Sequence, residues 1–204
     1  MQSRLSLGCT LVAGLLLAPL ALGQAAADPK HAAAEVGQAA PSFTLKGADG
    51  KTYNLSDFKD KVVVLEWLNQ DCPVSKGAQP VMKETSQKYA GKGVVWLAID
   101  STHGQTGEKD AEYAQKLGLS HPILLDSDGK VGHAYGAKTT PHMYVINKGT
   151  LVYAGAIDNN AGRNKSGDQY RNYVAEALDS VLAGKEIALS KTQPYGCSVK
   201  YGKS

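Results

Sequence analysis

Residues 62–76 read VVVLEWLNQDCPVSK, and the order of residue types within them sets the architecture. Val62 to Trp67 is a short, nearly continuous apolar run, the pattern of a central strand covered on both faces. A four-residue turn leads to Cys72, and Pro73 after it is a favoured first residue of a helix. That helix is expected to run to about Ala90, with a kink at Pro80. Cys72 therefore lies at a helix N-terminus, where unpaired N–H groups and the macrodipole favour a thiolate. A helix end contributes roughly 0.3–1 kcal/mol, less than about one pKa unit. Placement alone does not make this sulfur a fast peroxide reductant, and Asp71 beside it opposes ionisation if it points inward.

Outward from this segment the punctuation is regular. Phe43 to Leu45 and Thr52 to Leu55 flank Ala48-Asp49-Gly50 and predict a hairpin. Further strands are expected at Gly93 to Asp100, Pro122 to Asp126, His142 to Asn147 and Thr150 to Gly155. Helices fill the gaps, one over Glu108 to Leu117 and one over Asp168 to Ala183. The latter carries an apolar stripe from Tyr170 to Leu182 and is closed by Gly184. Strands alternating with helices give an α/β domain over residues 42–184. Residues 28–41 are Ala-rich and read as a leader or linker. Residues 185–204 form a polar tail carrying Tyr195, Gly196 and Cys197.

The 204 residues are 43% hydrophobic and 20% charged, enough apolar content for one packed domain and too much for a disordered tail. With 22 basic against 19 acidic residues, the charge is too balanced for a nucleic-acid binder. Three cysteines are too few for a disulfide scaffold. Arg4, the apolar run Leu11 to Leu22 and small residues up to Ala27 predict an export signal over residues 1–27. The alternative is an uncleaved anchor, but Pro19 interrupts a run already short for a bilayer. Cleavage removes Cys9 and leaves Cys72 and Cys197 in an oxidising compartment, with no stable membrane insertion.

Several of these segments together carry a resemblance. WLNQDCPVS after a buried strand resembles the active-site turn of the thioredoxin-like superfamily, and Thr139-Thr140-Pro141 leading into a strand resembles its cis-proline loop. Pro80 and Glu66 stand eight residues after and six before Cys72, where thioredoxins carry a kinking proline and a buried acid. The segments DCPVSK, TTPHMYVIN, LVYAGAID and YGCSVKY are similar to those of exported redoxin-domain proteins, alkyl hydroperoxide reductase/thiol-specific antioxidant relatives. The likeness covers about residues 40–201 and implies a thioredoxin-like fold, a central mixed sheet flanked by helices with an N-terminal β-hairpin. It also implies thiol–disulfide exchange with protein or small-molecule thiols and disulfides, needing no cofactor. Cys72 would be the nucleophile and Glu66 a proton acceptor. Pro73, Thr140, Pro141 and His142 would form the substrate-docking surround, with Thr140 offering its backbone as a strand-like edge.

Departures from the family pattern qualify that expectation. Ser75 replaces the second cysteine of a C-x-x-C pair, so no local dithiol forms. Peroxiredoxins place Pro and Thr seven and three residues before their cysteine; here Leu65 and Asn69 stand there, which argues against rapid peroxide reduction. Cys197 is the candidate resolving thiol, attacking a mixed disulfide or sulfenic acid on Cys72. A permanent staple between the two is the competing reading, worth roughly 5 kcal/mol by chain entropy, and a third arrangement keeps the sulfurs apart. For Glu66 the plain alternative is a strand-end ion pair; for His142 and His103 it is packing. A copper site of Cys72, His142 and Cys197 lacks the closely spaced cysteine pair of metallochaperones, so no metal is expected. Overall the alternatives to exchange are a thiol-dependent peroxidase and a non-catalytic binding module with a structural disulfide.

Overall fold

A computed structural model describes residues 33–160 and 166–202. The export signal expected over residues 1–27 lies outside the described residues. Among the described residues nine strands and four α-helices follow one another: β1 (Thr44–Gly47), β2 (Thr52–Asn54), β3 (Val62–Trp67), α1 (Pro73–Ala90), β4 (Val94–Asp100), α2 (Gly107–Leu117), β5 (Ile123–Leu125), α3 (Lys130–Tyr135), β6 (Thr139–Thr140), β7 (His142–Asn147), β8 (Thr150–Gly155), α4 (Tyr173–Leu182) and β9 (Cys197–Ser198). Seven of the strands form one mixed sheet in the order β2-β1-β5-β4-β3-β7-β8. In it β3, β4 and β5 run parallel, while β7 and β8 and the β1–β2 hairpin are antiparallel additions at the two sides. This is the thioredoxin-like α/β architecture.

Strand β3 is central, and its alternation feeds two cores. Val63, Leu65 and Trp67 pack with Ile99, Tyr135, Tyr144 and Ile146 on the face carrying α3. Val64 joins Met82, Tyr89, Val145 and the α4 residues Val174, Ala177 and Leu178 on the other. Burying each such Val or Leu contributes roughly 1.5–3 kcal/mol, which is what fixes α1 and α4 to the sheet.

Three segments differ from what periodicity suggests. The fourth helix begins at Tyr173, not Asp168. Gly167–Gln169 make only a single 3-10 turn, and Asp158 bridging Asn172, with Asn159 N–H donating to Arg171 O at 3.0 Å, holds the residues just before Tyr173 extended. Asn172 then caps the helix by accepting from Ala175 N–H at 2.9 Å, a stronger start signal than an apolar stripe. Its end is as expected: Gly184, at φ 65°, closes a paired Gly184–Val181 and Lys185–Ser180 bonding pattern. Residues 34–40 of the stretch read as linker run beside β8, with Gly37 N–H donating to Leu151 O at 2.8 Å and Leu151 N–H to Gln38 O at 2.9 Å. The tail also docks. Lys191 bridges Ala154, and β9 pairs antiparallel with β6, placing Cys197 opposite Thr140.

Candidate active site

Strand β3 delivers the chain to the sheet's C-terminal end, where Leu68 N–H donates to Ile99 O at 3.0 Å and the turn begins. Asn69 braces that turn. Its Nδ2 donates to Thr102 Oγ1 at 2.9 Å and its Oδ1 accepts from Asp71 N–H at 2.6 Å. Cys72 is the N-cap of α1 with extended backbone, and its Sγ accepts from Ser75 N–H at 3.4 Å. Pro73 opens the helix, so no backbone donor is lost at its first position. A backbone N–H aimed at sulfur favours the thiolate whenever the bond is reduced.

Cys72 and Cys197 form a disulfide with Cα atoms 6.0 Å apart, across 125 residues of sequence. Cys72 Sγ also lies 3.2 Å from Thr140 O, and the Thr140–Pro141 peptide is cis. The backbone edge of Thr139 and Thr140, expected to receive a substrate chain, is paired instead with the protein's own Cys197 and Ser198. Close approach there requires Gly196, at φ 132°, because a Cβ would overlap Thr140 O and come within 2.7 Å of Thr140 C. The tail leaves Cys72 only 3% exposed. Beside it Pro73, Val74, Gly77, Ala78, Pro80, Asp158 and Tyr195 line a hollow of about 660 Å³, and Val74 is 38% exposed at its mouth.

Glu66 is fully buried on the α1 face of β3. Its two oxygens accept from Gln79 Nε2 and Trp96 Nε1, each at 2.8 Å. Burial raises its pKa, and those two hydrogen bonds only partly oppose the rise. His121 Nε2 lies 3.9 Å from Glu66 Oε2, too far for a hydrogen bond. Burial pushes His121 down to about 4, so it is neutral at pH 7 and the contact is no ion pair.

The His142 ring is buried against Tyr144. Only 7% exposed, its Nδ1 accepts from Lys138 N–H at 3.3 Å, and its ring packs on Tyr144 at 4.5 Å. Burial, with the Lys138 charge nearby, lowers its pKa to about 4. His103 meets the tail through its backbone, donating N–H to Lys200 O at 2.8 Å. Thus Cys72, Cys197, Thr140, Pro141 and Pro73 are brought together, Glu66 lies on the face of β3 that α1 covers, and the His142 ring is turned toward Tyr144. Among the described residues no group of three or more His, Cys, Asp or Glu side chains is arranged to hold a metal, and no helix is long and apolar enough to cross a membrane.

Residues to which sequence reasoning gave no part in the site complete it. Asn69 and Thr102 hold the turn, and Gln79 and Trp96 fix Glu66. Gln79 was within reach: it stands seven residues after Cys72, two helical turns along the face that looks onto the sheet. Trp96 was not, because an aromatic residue in a strand reads as packing.

Comparison with known proteins agrees with this geometry. Residues 36–154 match the AhpC/TSA family. The thiol-disulfide oxidoreductase ResA of Bacillus thuringiensis subsp. konkukian (strain 97-27) is 31% identical over 114 residues, 56% of this chain and 65% of the relative, so under two thirds of that protein's length is spanned. An uncharacterized conserved protein from Geobacillus kaustophilus superposes with a TM-score of 0.76 at 30% identity, over 83% of this chain and 94% of the other. A hypothetical protein from Sinorhizobium meliloti 1021 does so with a TM-score of 0.75 at 26% identity, over 85% and 98% of the two chains.

Proposed function

Because the chain belongs to the AhpC/TSA family, we propose that it is an exported thiol–disulfide oxidoreductase in which Cys72 is the nucleophile and Cys197 the resolving thiol. The observation that carries this reading is the Cys72–Cys197 disulfide set at the N-terminus of α1 against the cis Thr140–Pro141 peptide. A bond serving only to fasten the tail needs neither a helix end nor a prolyl turn beside it.

In the reduced protein the Cys72 thiolate attacks one sulfur of an external disulfide, forming a mixed disulfide and expelling one thiolate. Cys197 then attacks Cys72 Sγ, expels the second thiolate and closes the internal bond. Glu66, held protonatable by its burial, accepts the proton of a cysteine thiol during the cycle. The reverse sequence passes electrons from external thiols into the internal disulfide. Substrates are protein or small-molecule thiols and disulfides that reach the sulfur from the hollow beside Val74.

The test uses glutathione disulfide or insulin turnover. Cys72→Ser abolishes turnover, while Cys197→Ser leaves a trapped mixed disulfide on Cys72. Unchanged turnover in Cys72→Ser, or an internal disulfide untouched by mild dithiothreitol, overturns the reading and leaves a structural staple. Peroxidase chemistry at the same sulfur is the weaker reading. The residue three before Cys72 is Asn69, its amide committed to Thr102 and Asp71, and Leu65 is core. Peroxide consumption with a thiol donor is expected to be slow; a rapid rate would favour the peroxidase.

A further inference from the structure

We propose that Tyr201 is a positioning residue that clasps the tail to the domain independently of the disulfide, so that Cys197 stays opposite Cys72 when both are thiols. The proposal rests on the reading of Cys197 as the resolving thiol and deepens it.

The tail is held on both sides of Cys197 by contacts that involve no sulfur. Upstream, Thr192 Oγ1 accepts from Ala156 N–H at 2.8 Å and lies 2.6 Å from Tyr153 Oη. Downstream, Val199 N–H donates to Lys138 O at 3.1 Å, and Lys200 O accepts from His103 N–H at 2.8 Å. Tyr201 ends the strap. Its hydroxyl donates to Ala137 O at 2.8 Å, and its ring stacks on His133 with centroids 4.1 Å apart and planes at 24°. The socket exists because positions 129 and 132 are glycine. A Cβ on Gly129 would come within 2.7 Å of the Tyr201 Cδ1, and one on Gly132 within 2.7 Å of Cε1. Reducing the disulfide removes none of these contacts.

A thiol on a short flexible tether has an effective concentration of the order of mM. One held in place exceeds that, because the orientation is already fixed. With glutathione disulfide, Cys72 thiolate takes one glutathione and releases the other as thiolate. Cys197 thiolate then displaces the second from Cys72 Sγ. The protein is oxidised by two electrons, and the two cysteine protons end on two glutathiones. Tyr201 governs the second step and leaves the first alone.

The experiment equilibrates the processed chain, Tyr201→Ala and Tyr201→Phe with glutathione redox buffers, and follows amide exchange in the reduced wild-type protein. Tyr201→Ala should lower the effective concentration of Cys197 at least about tenfold. That is about 30 mV in the couple's potential, towards the more oxidising side. The Cys72–glutathione mixed disulfide should accumulate, with attack of Cys72 on glutathione disulfide unchanged. Tyr201→Phe, which keeps the stack, should recover most of the loss. In reduced wild-type protein the Val199 and His103 amides should stay protected. A wild-type equilibrium in Tyr201→Ala, or free exchange of those two amides on reduction, overturns the clasp. If the alanine variant fails to fold, the exchange result on wild type decides alone. Absent turnover of any external disulfide by wild type would remove the oxidoreductase reading, while both clasp readouts would still give their answer.

Discussion

At the residue scale, Glu66 shows how environment decides the role of a side chain. An ionised carboxylate with no cation beside it is costly in a closed sheet core, so its pKa rises; two neutral donors, Gln79 and Trp96, keep it oriented. Replacing it by Gln should slow thiol–disulfide turnover by about 10²-fold, the lower range for a lost proton acceptor, and should flatten the pH dependence of the rate. Because the folded pKa lies above the unfolded one, wild type loses stability as pH rises from the ordinary carboxylate value of 4.5 through the raised folded value. Thermal melts of Glu66→Gln should therefore gain on wild type towards alkaline pH. Asp110 offers a second, separate case. Burial outweighs the Gln105 hydrogen bond and pushes its pKa from 3.8 to about 7, leaving Oδ2 without a partner. Asp110→Asn should match wild type near pH 4 and exceed it in melting temperature from pH 7 upward, with the gap opening between those values. A constant gap across that range would show that Asp110 ionises normally.

Among the elements, sequence pattern was most informative where burial is continuous. The bounds of β3, β7 and β8 follow directly from apolar runs, and α1 from Cys72-Pro73. Periodicity misplaced the start of α4, because Tyr170 fits the stripe by spacing but sits in the hollow beside α1 while Asn172 caps the helix. Asn172→Ala should cost about 1 kcal/mol, a fall in melting temperature of about 2–4 °C for a chain of this size. The β6–β9 pair was invisible for another reason. Two-residue strands have no period to detect, and their partners are joined only by long-range pairing. Gly196 marks the spot in hindsight, since its φ and its approach to Thr140 tolerate no side chain. Gly196→Ala should slow closure of the Cys72–Cys197 bond while leaving alkylation of the reduced Cys72 intact, measured by mass spectrometry of quenched thiols.

For the molecule as a whole, the disulfide closes one long loop from the start of α1 to the tail, with β1, β2 and β3 outside it. Its 125-residue span gives about 5 kcal/mol of chain-entropy stabilisation, less whatever order the unfolded chain keeps. Denaturant melts of the oxidised and reduced forms should differ by at most that amount, and a larger gap would mean that reduction also unseats the tail. The candidate site was legible in its parts (the sulfur, the acid, the prolyl turn) because each is tied to a local motif. Their assembly was legible only through the resemblance, because the tail reaches the site through contacts spread over Thr192, Val199 and Tyr201. The antiparallel pairing of Cys197 with Thr140 has one more result. An arriving polypeptide meets a berth already taken by a tethered rival at high local concentration, so main-chain matching gives a newcomer little advantage. On the proposed function, clients would be sorted by how readily their sulfur slips in sideways, with the segment around Cys197 as the doorkeeper.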